Sequence, residues 1–151
     1  MRLLIVILLI FSDFFSKKII FHSIELNKLI SIVPFFDLTH IHNYGIAFGL
    51  FSGLISSKMI ILITSVVTIA IIYLLIQASN TVEKWGLTLI IAGAISNIFD
   101  RAINNYVLDF IYLHYKDFYW PAFNFADIYI SVGVFIVVLQ LLKDLHKRLI
   151  K

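Results

Sequence analysis

Cysteine is absent from the chain, which excludes disulfides, thiol catalysis and cysteine-based metal or redox sites. Charge is scarce as well, at 14% of 151 residues. Two prolines and six glycines leave little punctuation. No linker, internal repeat or low-complexity tract divides the chain. Missing motifs narrow the chemistry further. No serine lies in G-x-S-x-G, no H-E-x-x-H occurs and no phosphate loop is present. A nucleophile-elbow hydrolase, a zincin and a P-loop nucleotidase are therefore all disfavoured.

What the chain has in abundance is hydrocarbon. Hydrophobic residues make up 61% and mean hydropathy is +0.99, more than a soluble domain of this length can hide from water. A single integral membrane domain over 1–151 is the economical reading. Apolar segments at 3–21, 59–76, 85–99 and 125–142 predict four spans, the first and third short for a bilayer core of about 30 Å. Arg2 ahead of an apolar run also fits a cleavable leader. No small-x-small site follows, however, and "SKKIIF" continues apolar beyond the charges, so a retained helix is read. The net charge of +3 gathers partly in the tail at Lys143, Lys147, Arg148 and Lys151, which suits anionic lipid headgroups better than nucleic acid.

Four spans put both termini on one side. Arg2, Lys84 and the basic tail make that side cytoplasmic, against Lys28, Lys58 and Lys116 opposite. The long links at 21–58 and 100–124 then lie on the outer face. "DLTHIH" (Asp37 to His42) alternates as a half-buried strand does, and Gly45, Gly49 and Gly53 offer turns or close backbone approach. The expected fold is an all-α integral membrane protein: four transmembrane helices with a small extracytoplasmic sheet.

Ionisable residues inside hydrocarbon are costly, ~2.5–3.5 kcal/mol each on insertion scales, so each needs a reason. Asp13 and Lys17 share a face of the first helix at i,i+4, as a pair that eases insertion or as part of a site. Asn97, Asp100 and Arg101 in "SNIFDR" share a face at the end of the third, as interface capping or as site residues. Asp109 stands among Val107, Leu108, Phe110 and Ile111, where a carboxylate is either partnered or protonated. Asp127 opens the last span, three residues after Asn124. The helix dipole alone favours an acid there by ~0.3–1 kcal/mol. Two carboxylates meeting at one membrane face would share a proton and supply both a general base and a general acid. His40 and His42 fall on one side of the putative strand but lack a third ligand, so they read as polar surface residues. No metal or cofactor is expected.

Taken in order, "SDFFSK", "HNYGIAFG", "AGAISNIFDR", "VLDF" and "FNFADIYI" closely resemble the bacterial lipoprotein signal peptidases (signal peptidase II) over the whole chain. The resemblance implies an intramembrane aspartic endopeptidase of the bacterial cytoplasmic membrane. Such an enzyme removes signal peptides from prolipoproteins just before a diacylglyceryl-modified cysteine, with its site near the outer face. By motif, Asp109 and Asp127 match the catalytic pair. Asn43, Asn97, Arg101 and Asn124 match supporting positions, and Asp13 with Lys17 matches the first-helix D-x-x-[ST]-K element. The implied partners are the lipid-modified precursor and membrane lipids, with no nucleic acid and a monomeric state. Phe14 replaces a common glutamine, and Ala92 and Ser96 stand where glycines are usual, which bears on helix packing and substrate fit.

Two readings from other classes compete. A small proton- or ion-coupled transporter would use the membrane-embedded carboxylates as a path at midplane depth. A non-catalytic assembly subunit would give no reason for two isolated aspartates with asparagine neighbours.

Overall fold

A computed structural model describes residues 1–46 and 52–150; Gly49, expected to turn the chain, lies outside them. The order is α1 (Arg2–Ser23), β1 (Leu29–Val33), β2 (Phe36–Asn43), α2 (Ser57–Gln77), α3 (Thr81–Asn104), β3 (Val107–Tyr115), β4 (Phe118–Tyr119) and α4 (Phe125–Leu149). Among the described residues three helices, α2, α3 and α4, are long and apolar enough to cross a membrane. The first helix is 22 residues long but carries Arg2, Asp13, Lys17 and Lys18.

The helices begin and end where their sequence chemistry directs. Ser56 accepts the Met59 N–H to start α2. Asn80 accepts from Val82 and Glu83 to start α3, and Asn105 closes that helix in the left-handed conformation at φ 66°, which asparagine tolerates better than most residues. Asn124 and Asp127 form a reciprocal capping box that opens α4. The third helix runs beyond the Phe99 expected from hydropathy to Asn104, because the polar residues that resemble a helix end are buried within it.

Close packing of α3 on α4 depends on glycine. A Cβ at Gly93 would fall on the Ala126 carbonyl oxygen, and one at Gly133 on that of Gly86. Small residues at such crossings let two backbones approach. Here the approach brings the α4 N-terminus against the turn of α3 that precedes Asn97.

The sheet is larger than one alternating strand predicts: four antiparallel strands in the order β1-β2-β3-β4. Its register slips between Leu38 and Ile41 of β2. At that irregularity Thr39 and His40 are both buried, so strict alternation fails locally. The expectation of surface histidines is corrected for His40. A backbone carbonyl can only accept, so His40 Nδ1 donates to Ile24 O at 2.8 Å, and its Nε2 meets His42 Nε2 at 3.0 Å. Burial first, and His40 second, hold the His42 imidazole below its usual pKa.

A core of Ile20, Ile24, Leu108, Phe110 and Ile111 ties the end of α1 to β3, with Phe123, Phe125 and Ile128 packed against it. Phe123 also bonds through its backbone to Phe110 and Ile111. The residue after it, Asn124, is thereby set beside Asp109.

Candidate active site

The expected residues come from five elements, α1, β2, α3, β3 and the start of α4, and the structure brings them together. β3 carries Asp109, opposite Ile41 of β2, and Asn43 at the end of β2 lies opposite Val107. Asn43 Nδ2 donates to Asp109 Oδ2 at 2.9 Å and Asn124 Nδ2 donates to Oδ1 at 2.7 Å. Asp127 accepts from Asn97 Nδ2 on Oδ1 at 2.9 Å and from the Asn124 N–H on Oδ2 at 3.2 Å. One asparagine therefore serves both carboxylates, with its side chain on Asp109 and its backbone on Asp127. It is fully buried.

Asp109 and Asp127 line one cavity of about 450 Å³ with Asn43, Asn97 and Arg101, and its apolar wall includes Ile130 and Val132 of α4. A second, smaller cavity of about 210 Å³ opens on the sheet side, where Asp109, Asn43 and Ala122 recur beside Tyr44 and Tyr112. Burial, and secondarily the charge of Asp127, push the Asp109 carboxyl up to about 7, although the asparagine hydrogen bonds and Lys17 oppose the rise. The direction is physical: a carboxylate 2% exposed beside a like charge resists ionisation.

Arg101 Nη2 donates to the Gly45 carbonyl at 2.7 Å and Nη1 to that of Asn97 at 3.3 Å. Its guanidinium interacts electrostatically with Asp109, Asp127 and Asp100. The Nε is buried with no partner among the described residues.

Asp13 and Lys17, on α1 and so on a different element from either aspartate, are nonetheless wired to the surroundings of Asp127. Lys17 Nζ lies 2.6 Å from Asp13 Oδ2 and 2.9 Å from Asp100 Oδ2. It also donates to Asn97 Oδ1 at 3.1 Å, leaving the Asn97 amide nitrogen for Asp127. Asp13 Oδ1 accepts the Ala126 N–H at 2.9 Å, one residue before Asp127. Sequence reasoning missed Asp100 as a partner of Lys17 and Ser96 as a donor to Asp13 (2.6 Å). The i,i+3 and i,i+4 spacings in "SNIFDR" were the only available signal. Among the described residues no three His, Asp or Glu side chains converge as a metal site.

Helices long and apolar enough to cross a membrane, with one carboxylate on the sheet and one on α4 lining the same cavity, define a polytopic membrane protein. Two solved bacterial membrane enzymes share the architecture. One, obtained by the in meso method at 2.3 Å, matches with a TM-score of 0.87 and 30% identity over 95% of this chain and 88% of its own. The other, at 1.9 Å, matches with 0.83 and 30% over 95% and 93%. The chain belongs to the Signal peptidase (SPase) II family, whose model matches residues 5–143. The lipoprotein signal peptidase of Thermodesulfovibrio yellowstonii is 38% identical over 139 residues, 91% of this chain and 92% of its own. That of Wigglesworthia glossinidia brevipalpis is 39% identical over 138 residues, covering 89% and 90%. Nothing in these likenesses supports the transporter reading.

Proposed function

We propose that the chain removes signal peptides from prolipoproteins as an aspartic endopeptidase, cutting before a lipid-modified cysteine with Asp109 and Asp127 as the catalytic pair. The observation that carries this reading is one cavity lined by both carboxylates, in a chain of the signal peptidase II family. Asp109, with its carboxyl raised to about 7, holds the shared proton and donates it to the scissile carbonyl oxygen. Asp127 takes a proton from the attacking water, and the water oxygen bonds to the carbonyl carbon. The resulting gem-diol collapses as Asp127 returns its proton to the leaving amine and Asp109 recovers one from the diol. Asn43, Asn97 and Asn124 orient the carboxylates, and Arg101, in the cavity wall, donates to the Gly45 carbonyl.

Four spans, both termini cytoplasmic and a site near the outer face of the bacterial inner membrane complete the proposal. Arg2 sits over the Trp85 ring at 5.8 Å at one end of α1, while Lys17 meets Asp100 towards the other. The first helix therefore runs alongside α3 across the same depth, and its buried charges are paired within the bundle. A monomeric state is part of the same proposal. The direct test is incubation of purified protein with a lipid-modified precursor peptide. Parent protein releases the signal peptide and Asp109→Asn does not; release by both, or by neither, contradicts the proposal.

A further inference from the structure

Asp13 accepts on both oxygens from three donors. The Ala126 N–H is on Oδ1, and Lys17 Nζ and the Ser96 hydroxyl share Oδ2. Two routes lead from this carboxylate to Asp127. One is the backbone of Ala126, next in the chain. The other runs through Lys17, whose ammonium also holds Asn97 Oδ1 and so turns the amide nitrogen of Asn97 onto Asp127. Lys17 divides its charge among Asp13, Asp100 and Asn97. How much of it Asp13 takes depends on what else satisfies Oδ2, and among the described residues that other donor is Ser96.

We infer that Ser96 is a positioning residue of the peptidase. Its hydroxyl shares the Asp13 carboxylate with Lys17, which keeps the ammonium available to Asn97 and thereby holds Asp127 in its working geometry. This rests on the reading of Asp127 as half of the catalytic pair. With the hydroxyl gone, Lys17 is the one donor left to Oδ2 among the described residues, and the ammonium turns toward it and away from Asn97. The Asn97 amide is then free to turn from Asp127. The charged groups around the route are Asp13 and Lys17 of α1, Asp100 and Arg101 of α3, Asp109 of β3 and Asp127 of α4. Ser96 can be altered without changing any of these charges and without touching a direct partner of Asp127. It also borders a separate apolar groove of about 360 Å³ beside Phe14 and Phe99, so a threonine methyl at this position has room.

The test compares parent, Ser96→Ala, Ser96→Thr and Asp127→Asn in cleavage of a lipidated precursor peptide, with kcat and KM measured across pH on folded, monodisperse protein. Ser96→Ala should lower kcat roughly three- to tenfold, the worth of one hydrogen bond, with KM unchanged. The acid limb of its profile should move to higher pH, since an ionised pair that has lost an amide donor is less stabilised. Ser96→Thr should restore both. If Ser96→Ala yields too little folded protein, Ser96→Cys, near-isosteric with a weaker donor, takes its place and should show the same signs. Unchanged kcat and pH limb in these variants, with Asp127→Asn inactive, overturn the inference alone. Cleavage by Asp127→Asn overturns the catalytic pair beneath it.

Discussion

Asp109 is the residue whose chemistry leaves the clearest mark on stability. With its carboxyl raised from the ordinary 3.8 to about 7, the folded chain binds a proton that the unfolded chain has released. Stability therefore falls as pH rises across that interval and levels off above it. Unfolding in detergent followed against pH should show the decline in the parent and lose it in Asp109→Asn, a difference on the order of a few kcal/mol. Cleavage should respond more sharply. Either Asp109→Asn or Asp127→Asn should cost ~10³-fold in kcat, and the double variant should be little worse than either, because groups acting as a unit are not additive. Lys17 should matter for a different reason. Lys17→Met leaves Asp13 and Asp100 facing each other without a counter-charge, which should lower stability by about 3–5 kcal/mol, measured as folded yield and unfolding midpoint.

At the scale of elements, Asn124 and Gly93 set the place where α4 begins. Asn124→Ala removes the helix cap, at a cost of about 1 kcal/mol, and also a donor to Asp109. It should lower kcat far more than its unfolding midpoint suggests, a disproportion visible when both are measured on one preparation. The pairing of Asp13 with Lys17 was legible from spacing alone, and hydropathy located α2, α3 and α4. The true end of α3 was not, because Asn97, Asp100 and Arg101 look like interface residues when their partners on α1, β3 and α4 and at Gly45 are unknown. The sheet was half visible. "DLTHIH" announced β2, but "LISIV" has no clean alternation and all its residues are exposed, so no pattern marked β1. That Asp109 and Asp127 meet is a tertiary fact, reached from sequence only through the family resemblance. The backbone bonds of Phe123 to β3 create it.

For the whole molecule, the arrangement sets expectations about what the enzyme does without. Chelators should leave precursor cleavage intact, since the described residues gather no metal-binding cluster. Inhibition by a chelator that one added metal reverses would contradict the aspartic mechanism. Asp109 belongs to two chambers at once, the larger bordered by α3 and α4 and the smaller facing the sheet. A hydrolase in a bilayer must deliver water to a bond that arrives wrapped in lipid. With one carboxylate in the wall of both, a substrate filling the larger chamber would leave Asp109 open to water from the smaller.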